Sequence, residues 1–147
     1  MVSFSLLAAE PDLQQLREQA EQGDAWAQLN LGAAYDNGMG VERDIEQALH
    51  WYQKAAEQGV AKAQFNLAHL LVSEELSSET AAGWMLKAAN QGMLDAQYLM
   101  GVIYAEGIGV EVDDVKAVDW LQKAAAQGQP EAARFLKETY SLQPDSE

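Results

Sequence analysis

The feature that most constrains this chain is its period. Four segments close alike, at Glu21-Gln22-Gly23, Glu57-Gln58-Gly59, Asn90-Gln91-Gly92 and Ala126-Gln127-Gly128. Their glycines lie 36, 33 and 36 residues apart. Ala27, Ala63, Ala96 and Ala132 step by the same intervals. Lys54, Lys87 and Lys123 keep the last two steps, as do Trp51, Trp84 and Trp120. Four residue types held in one phase mark an internal repeat. A period in this range means stacked copies of one small supersecondary unit.

Each full copy reads as two helices. In residues 24–59, Ala27, Leu31, Ala34 and Tyr35 share one helical face. Gly38-Met39-Gly40 stops that helix, because glycine accepts the left-handed conformation of a helix end. Asp44 is placed to cap a second helix. Ala48, Trp51, Ala55 and Ala56 form its inner face, and Gly59 ends it. The copy at 93–128 repeats the design with Tyr104, Gly107-Ile108-Gly109, Asp113, Ala117, Trp120 and Gly128. The copy at 60–92 departs from it: the stretch from Val72 to Thr80 replaces the glycine loop and is three residues shorter, which predicts a shorter connection. A half-unit at 12–23 precedes the array, and another at 129–140, opened by Pro130, follows it. A polar tail occupies 141–147. The fold class expected is all-α: eight helices, no strands, about three full helix pairs with a half-repeat at each end. The three repeat-phase tryptophans are expected in the core.

Composition removes several function classes. The chain has 147 residues, 9 Lys and Arg against 23 Asp and Glu, and a net charge of −14. Nucleic acid is excluded as a partner, since its phosphates need clustered cations. There is no cysteine, hence no disulfide, thiol chemistry or cysteine-ligated zinc. His50 and His69 are too few for a histidine-rich metal site. No apolar run reaches the roughly 20 residues of a membrane span, so no membrane insertion is expected. Residues 1–11 are apolar, with Phe4, Leu6 and Leu7 before Ala8-Ala9-Glu10. Two readings stand. The segment is either the remnant of a secretory signal, making the protein periplasmic or exported, or a native N-terminus of a cytoplasmic protein.

The residues from Ala25 to Gly59 carry Ala-x-Ala-Gln-x-Asn-Leu-Gly-x-x-Tyr-x-x-Gly-x-Gly-Val, then Asp, then Ala-Leu-x-Trp-Tyr-x-Lys-Ala-Ala-Glu-Gln-Gly. This pattern resembles the Sel-one-like repeat (SLR), over about residues 12–140. The resemblance implies antiparallel helix pairs stacked as in tetratricopeptide repeats, an alpha-alpha superhelix or solenoid. It also implies a scaffold or adaptor for protein partners. Many members of that family are bacterial and many are exported. Some secreted relatives staple each helix pair with a disulfide, which this chain cannot do.

Helical phase locates the free surface. Positions 27, 28, 31, 34 and 35 of the first helix form the core-facing arc, and position 32, which is Gly32, Ala68 or Gly101, suits close helix approach. Position 29, which is Leu29, Phe65 or Tyr98, is expected between repeats. A stripe at positions 26, 30, 33 and 37 remains. By the resemblance it lines the concave wall. From it come the candidate partner-binding residues Trp26, Asn30, Asn37, Asn66, His69, Leu99, Val102 and Phe135. Amides can hold a peptide backbone, and the apolar members offer contact area. The outer face of the second helix, Glu46, His50, Gln53 and Glu57, is expected in solvent.

No catalytic or metal residue is assigned, and no cofactor. The Gly38-x-Gly40 and Gly107-x-Gly109 pairs follow helix C-termini and lack a phosphate loop's free N–H groups. Glu111, Asp113 and Asp114 lack the spacing of a calcium loop and read as capping and solvated loop. The function expected is a non-enzymatic adaptor binding a peptide or helix along the groove. Weak self-association through the array ends is the second reading, and action on cell-wall material the third.

Overall fold

The computed structural model describes residues 12–142. Among them every regular element is a helix: α1 (Leu13–Glu21), α2 (Ala25–Asn37), α3 (Ile45–Glu57), α4 (Ala61–Ser73), α5 (Ser78–Asn90), α6 (Leu94–Glu106), α7 (Asp114–Ala126) and α8 (Pro130–Tyr140). The all-helical expectation holds. The two readings of the apolar segment 1–11, and the end of the polar tail at 143–147, lie outside the described residues.

The chain divides into two compact units. The first ends at Gln58 and holds α1–α3; the second begins at Gly59 and holds α4–α8. Within the first, α1 packs on α2 and α2 on α3. Within the second, each helix from α4 to α8 packs on the next, and α8 also touches α6. Packing of each helix chiefly on the next is what a stacked repeat gives.

The caps read from the sequence at Asp44 and Asp113 form, and Asp24 and Ser77 add two more. Asp24, Asp44, Ser77 and Asp113 accept N–H bonds from Ala27, Gln47, Thr80 and Lys116 at 2.7, 3.0, 3.2 and 3.0 Å. Gly38 and Gly107 close α2 and α6 at φ 65° and 71°. The connection between α4 and α5 is shorter, residues 74–77, where the other pairs use 38–44 and 107–113. There Glu75 takes the left-handed conformation at φ 54° without being glycine.

Position 32 works as close approach requires. A Cβ on Gly32 would stand 2.6 Å from Tyr52 Cδ1, and one on Gly101 2.5 Å from Leu121 Cγ. In the middle repeat Ala68 is tolerated because its counterpart is Met85, slim and flexible. Tyr52, Met85 and Leu121 are 1%, 4% and 0% exposed, so this position carries the core.

The tryptophan expectation needs correction. Only Trp51 is buried; Trp84 and Trp120 are half-buried. The inward register belongs to the next residue, which turns these indoles to the rim. There Lys87 and Lys123, one turn on, lie over the rings at 4.2 and 4.6 Å from their centroids. Position 29 divides in the same way: Leu29 is buried, whereas Phe65 and Tyr98 are half-buried.

Position 28 is inside but polar. Gln28, Gln64 and Gln97 are each 4% exposed. Gln58 Nε2 donates to Gln28 Oε1 at 2.8 Å, Gln91 Nε2 to Gln64 Oε1 at 2.9 Å, and Gln127 Nε2 to Gln97 Oε1 at 2.6 Å. Gln28 and Gln97 donate in turn to the carbonyls of Ala20 and Ala89. The glutamine before each terminal glycine is therefore a structural partner of the first helix. No buried side-chain nitrogen or oxygen among the described residues is left without a partner.

Candidate interaction surface

The first-helix stripe divides between the two units, and each part has its own character. In the first unit, Trp26, Asn30 and Asn37 are exposed on α2, Trp26 at 64%. Asn37 spends its amide on its own helix, donating to the Ala33 carbonyl at 2.9 Å. Asn30 has no side-chain hydrogen bond among the described residues. It lines a recess of about 550 Å³ with Leu13, Leu16, Ala33, Ala34, Met39 and Gly40. At its wall Gly40, at φ 72°, lets the loop pass close to the tip of Leu13.

In the second unit the candidates sit on α4, α6 and α8. Asn66 is half-buried and His69 is exposed one turn further along. Neither side chain has a hydrogen-bond partner among the described residues. Leu99, Val102 and Phe135 are half-buried. Leu99 packs on the same core cluster as Phe65 of α4. Phe135 packs on the terminal cluster, its ring 6.3 Å from that of Tyr140. The stripe itself also carries Asp95, Glu106, Glu131 and Glu138, all exposed, against the cation Lys62.

The expected solvent face is in solvent: Glu46, His50, Gln53 and Glu57 are exposed on α3. The acidic loop behaves as caps. Asp113 caps α7, and the backbone N–H of Lys116 holds its carboxyl below the usual range. Asp114 Oδ1 accepts from the Tyr140 hydroxyl at 2.8 Å, and burial with this bond pushes Tyr140 up to about 12. Among the described residues no three His, Asp or Glu side chains stand together to hold a metal ion, and no helix is long and apolar enough to cross a membrane. The arrangement offers amides, an imidazole and apolar area, which is binding chemistry.

Phase reasoning on the first helix missed Leu13, Met39 and Gly40, which lie on α1 and in the loop. It also missed the exposed apolar residues Leu76, Val112 and Val115. The available signal for the last two was a difference between copies: Val112 and Val115 stand where the first copy has Arg43 and Glu46.

The Sel1 repeat family model matches residues 27–60, 61–93 and 94–129. Chitin synthase regulatory factor 3 of Schizosaccharomyces pombe is 36% identical over 128 residues, covering 83% of this chain, which spans only 14% of that protein's length. A crystal structure of a Sel1 repeat protein from Oxalobacter formigenes superposes with a TM-score of 0.75 at 37% identity, covering 86% of this chain and 98% of the other. A protective antigen of uropathogenic Escherichia coli with an SLR fold gives 0.82 at 37% identity, covering 89% of this chain and 29% of the other. Three matched repeats, the helix-pair solenoid fold and this level of identity agree, and the chain belongs to the Sel1 repeat family.

Proposed function

We propose that the chain is a non-enzymatic adaptor that holds a partner peptide or helix against the solvent-facing rows of its first helices. Sel1-repeat proteins typically mediate protein–protein contact without catalysis. The observation that carries the finer reading is Asn66: a half-buried amide with no hydrogen-bond partner among the described residues, on the same helix face as His69. Such a group has two donors and an acceptor to spend on a ligand backbone. Asn30 repeats the theme in the first unit, at the lip of an apolar recess that fits a partner's hydrophobic side chain. Leu99, Val102 and Phe135 supply apolar anchors. Asp95, Glu106, Glu131 and Glu138 favour a segment that adds basic residues to apolar ones.

A random-peptide phage library panned on the full chain supplies a probe. The selected peptide is expected to be apolar and basic. Asn66→Ala with His69→Ala should weaken it by roughly 1–3 kcal/mol and leave stability within about 1 kcal/mol. Glu46→Ala with Gln53→Ala, on the solvent face of α3, should change neither. Loss of binding in the second pair and not in the first would sink the assignment.

A further inference from the structure

The N-terminal ends of α5 and α7 carry apolar side chains left in solvent. Leu76, Val112 and Val115 are 54%, 62% and 73% exposed. Leu76 and Val112 each directly precede a helix cap, Ser77 and Asp113. An apolar residue there ordinarily staples back onto the fourth helical residue. Here that residue is Ala81 or Ala117, each a short methyl already buried in the core, so no staple hides Leu76 or Val112. The first repeat uses the same places differently. Arg43 donates from Nε to the Asp36 carbonyl at 2.8 Å and stands 3.9 Å from its carboxylate, while Glu46 faces solvent.

The two ends are brought together by Gly109. Its backbone lies directly against the Ser78 carbonyl and the Glu79 amide, closer than any Cβ would allow. The loop carrying Val112 thus rests on the helix end that carries Leu76. Around them Glu75, Glu79, Glu111, Asp114 and Asp119 are exposed. The nearby cation, Lys116, is engaged: it pairs with Asp113 at 3.6 Å and lies over the Tyr104 ring.

We propose that this edge of the second unit is a second docking surface, separate from the first-helix rows. Its occupant is a segment of another protein in which leucine-like side chains alternate with lysine or arginine. Apolar side chains at the centre of a contact set its lifetime, and an acidic rim draws in cations and speeds encounter. A second copy of this chain fits poorly, because a net charge of −14 on each would oppose the approach. An anionic membrane is repelled by the same rim.

The test uses the full chain and a short synthetic peptide alternating leucine and lysine, read by fluorescence anisotropy. Val112→Arg with Val115→Glu installs the residues of the first repeat and leaves net charge unchanged. It should weaken the peptide at least about 10-fold. Leu76→Ser, a second and milder variant, should weaken it in the same direction. A serine–lysine peptide should bind the unaltered chain at least about 10-fold less tightly. Asn66→Ala with His69→Ala should leave leucine–lysine binding unchanged, which separates this surface from the first-helix rows. Failure of the leucine–lysine peptide to bind would overturn the proposal. So would equal affinity in the Val112/Val115 variant, or equal binding of the serine–lysine peptide. A concentration-dependent mass by light scattering that disappears in that variant would make the occupant a second copy, and would also overturn it.

Discussion

The loops at 38–44 and 107–113 differ in what they meet and in what they show to solvent, although their backbones match. Each opens with a left-handed glycine, Gly38 or Gly107, carries a second at Gly40 or Gly109, and closes on a capping aspartate. Yet Gly40 faces only the tip of Leu13, whereas Gly109 sits on the backbone at Ser78. Arg43 and Glu46 of the first region give way to Val112 and Val115 in the second. The positions that set the backbone are fixed by conformational need. The positions that meet solvent are free to differ, and there the two regions acquire different surfaces.

The largest expected effect separates the two glycines. Gly109→Ala places a methyl in backbone that cannot yield, at φ 70°, and should cost at least about 3 kcal/mol or prevent folding. Gly40→Ala meets the same conformational penalty at φ 72°, but only a movable side-chain end at 2.8 Å, and should cost about 1–2 kcal/mol. Urea denaturation of both variants decides it. Equal losses would mean the loops are packed alike.

Next in size is the glutamine core. Gln97→Leu removes the acceptor of Gln127 and the donor to the Ala89 carbonyl, and should cost about 1–3 kcal/mol. A neutral result would mean the ladder contributes nothing that leucine does not replace.

Two titrations test the second loop and its surroundings. The carboxyl of Asp113 lies below 3.8, so the stability it adds is present above that value and is lost as pH falls through the lowered one. Asp113→Asn keeps a capping side chain and should remove this part of the acid dependence of the melting temperature. Tyr140 lies near 12 against 10 unfolded, so its contribution is whole below pH 10 and fades between 10 and 12. Tyr140→Phe should flatten stability in that alkaline window. Unchanged profiles in these variants would remove the corresponding bonds from the account.

The smallest effect concerns the middle connection, which lacks the glycines of the other two. Glu75→Gly relieves a left-handed glutamate and should stabilise by about 0.5–1 kcal/mol. A loss would show that the Glu75 side chain earns its strained position.

The helix pairs, the caps Asp44 and Asp113 and the short middle connection were legible in the sequence, because each rests on a local signal: a glycine stop, a capping carboxylate or a three-residue deletion. Glycine ends α2 and α6, and aspartate starts α3 and α7; the Ser77 cap of α5 came only from the structure. Burial across helices was less legible. One residue of register decides whether Trp84 or Met85 faces inward, and a period count over an alanine-rich helix does not resolve that step. Position 28 stands on the core-facing arc as phase places it, but phase does not show that Gln28, Gln64 and Gln97 find their hydrogen-bond partners on another helix. For the candidate surface, phase alone picked out the exposed Trp26, Asn30, Asn37 and His69. It missed Leu13 and Met39 because the recess is completed by a neighbouring helix and a loop.

The most direct test of partner binding on the first helices is hydrogen exchange on the full chain, with and without its phage-selected peptide. Partner binding there should slow exchange over residues 66–69 of α4 and 99–102 of α6, with α3 from Glu46 to Glu57 unchanged. Protection confined to α3, or to the outward turns of α5 and α7, would contradict it.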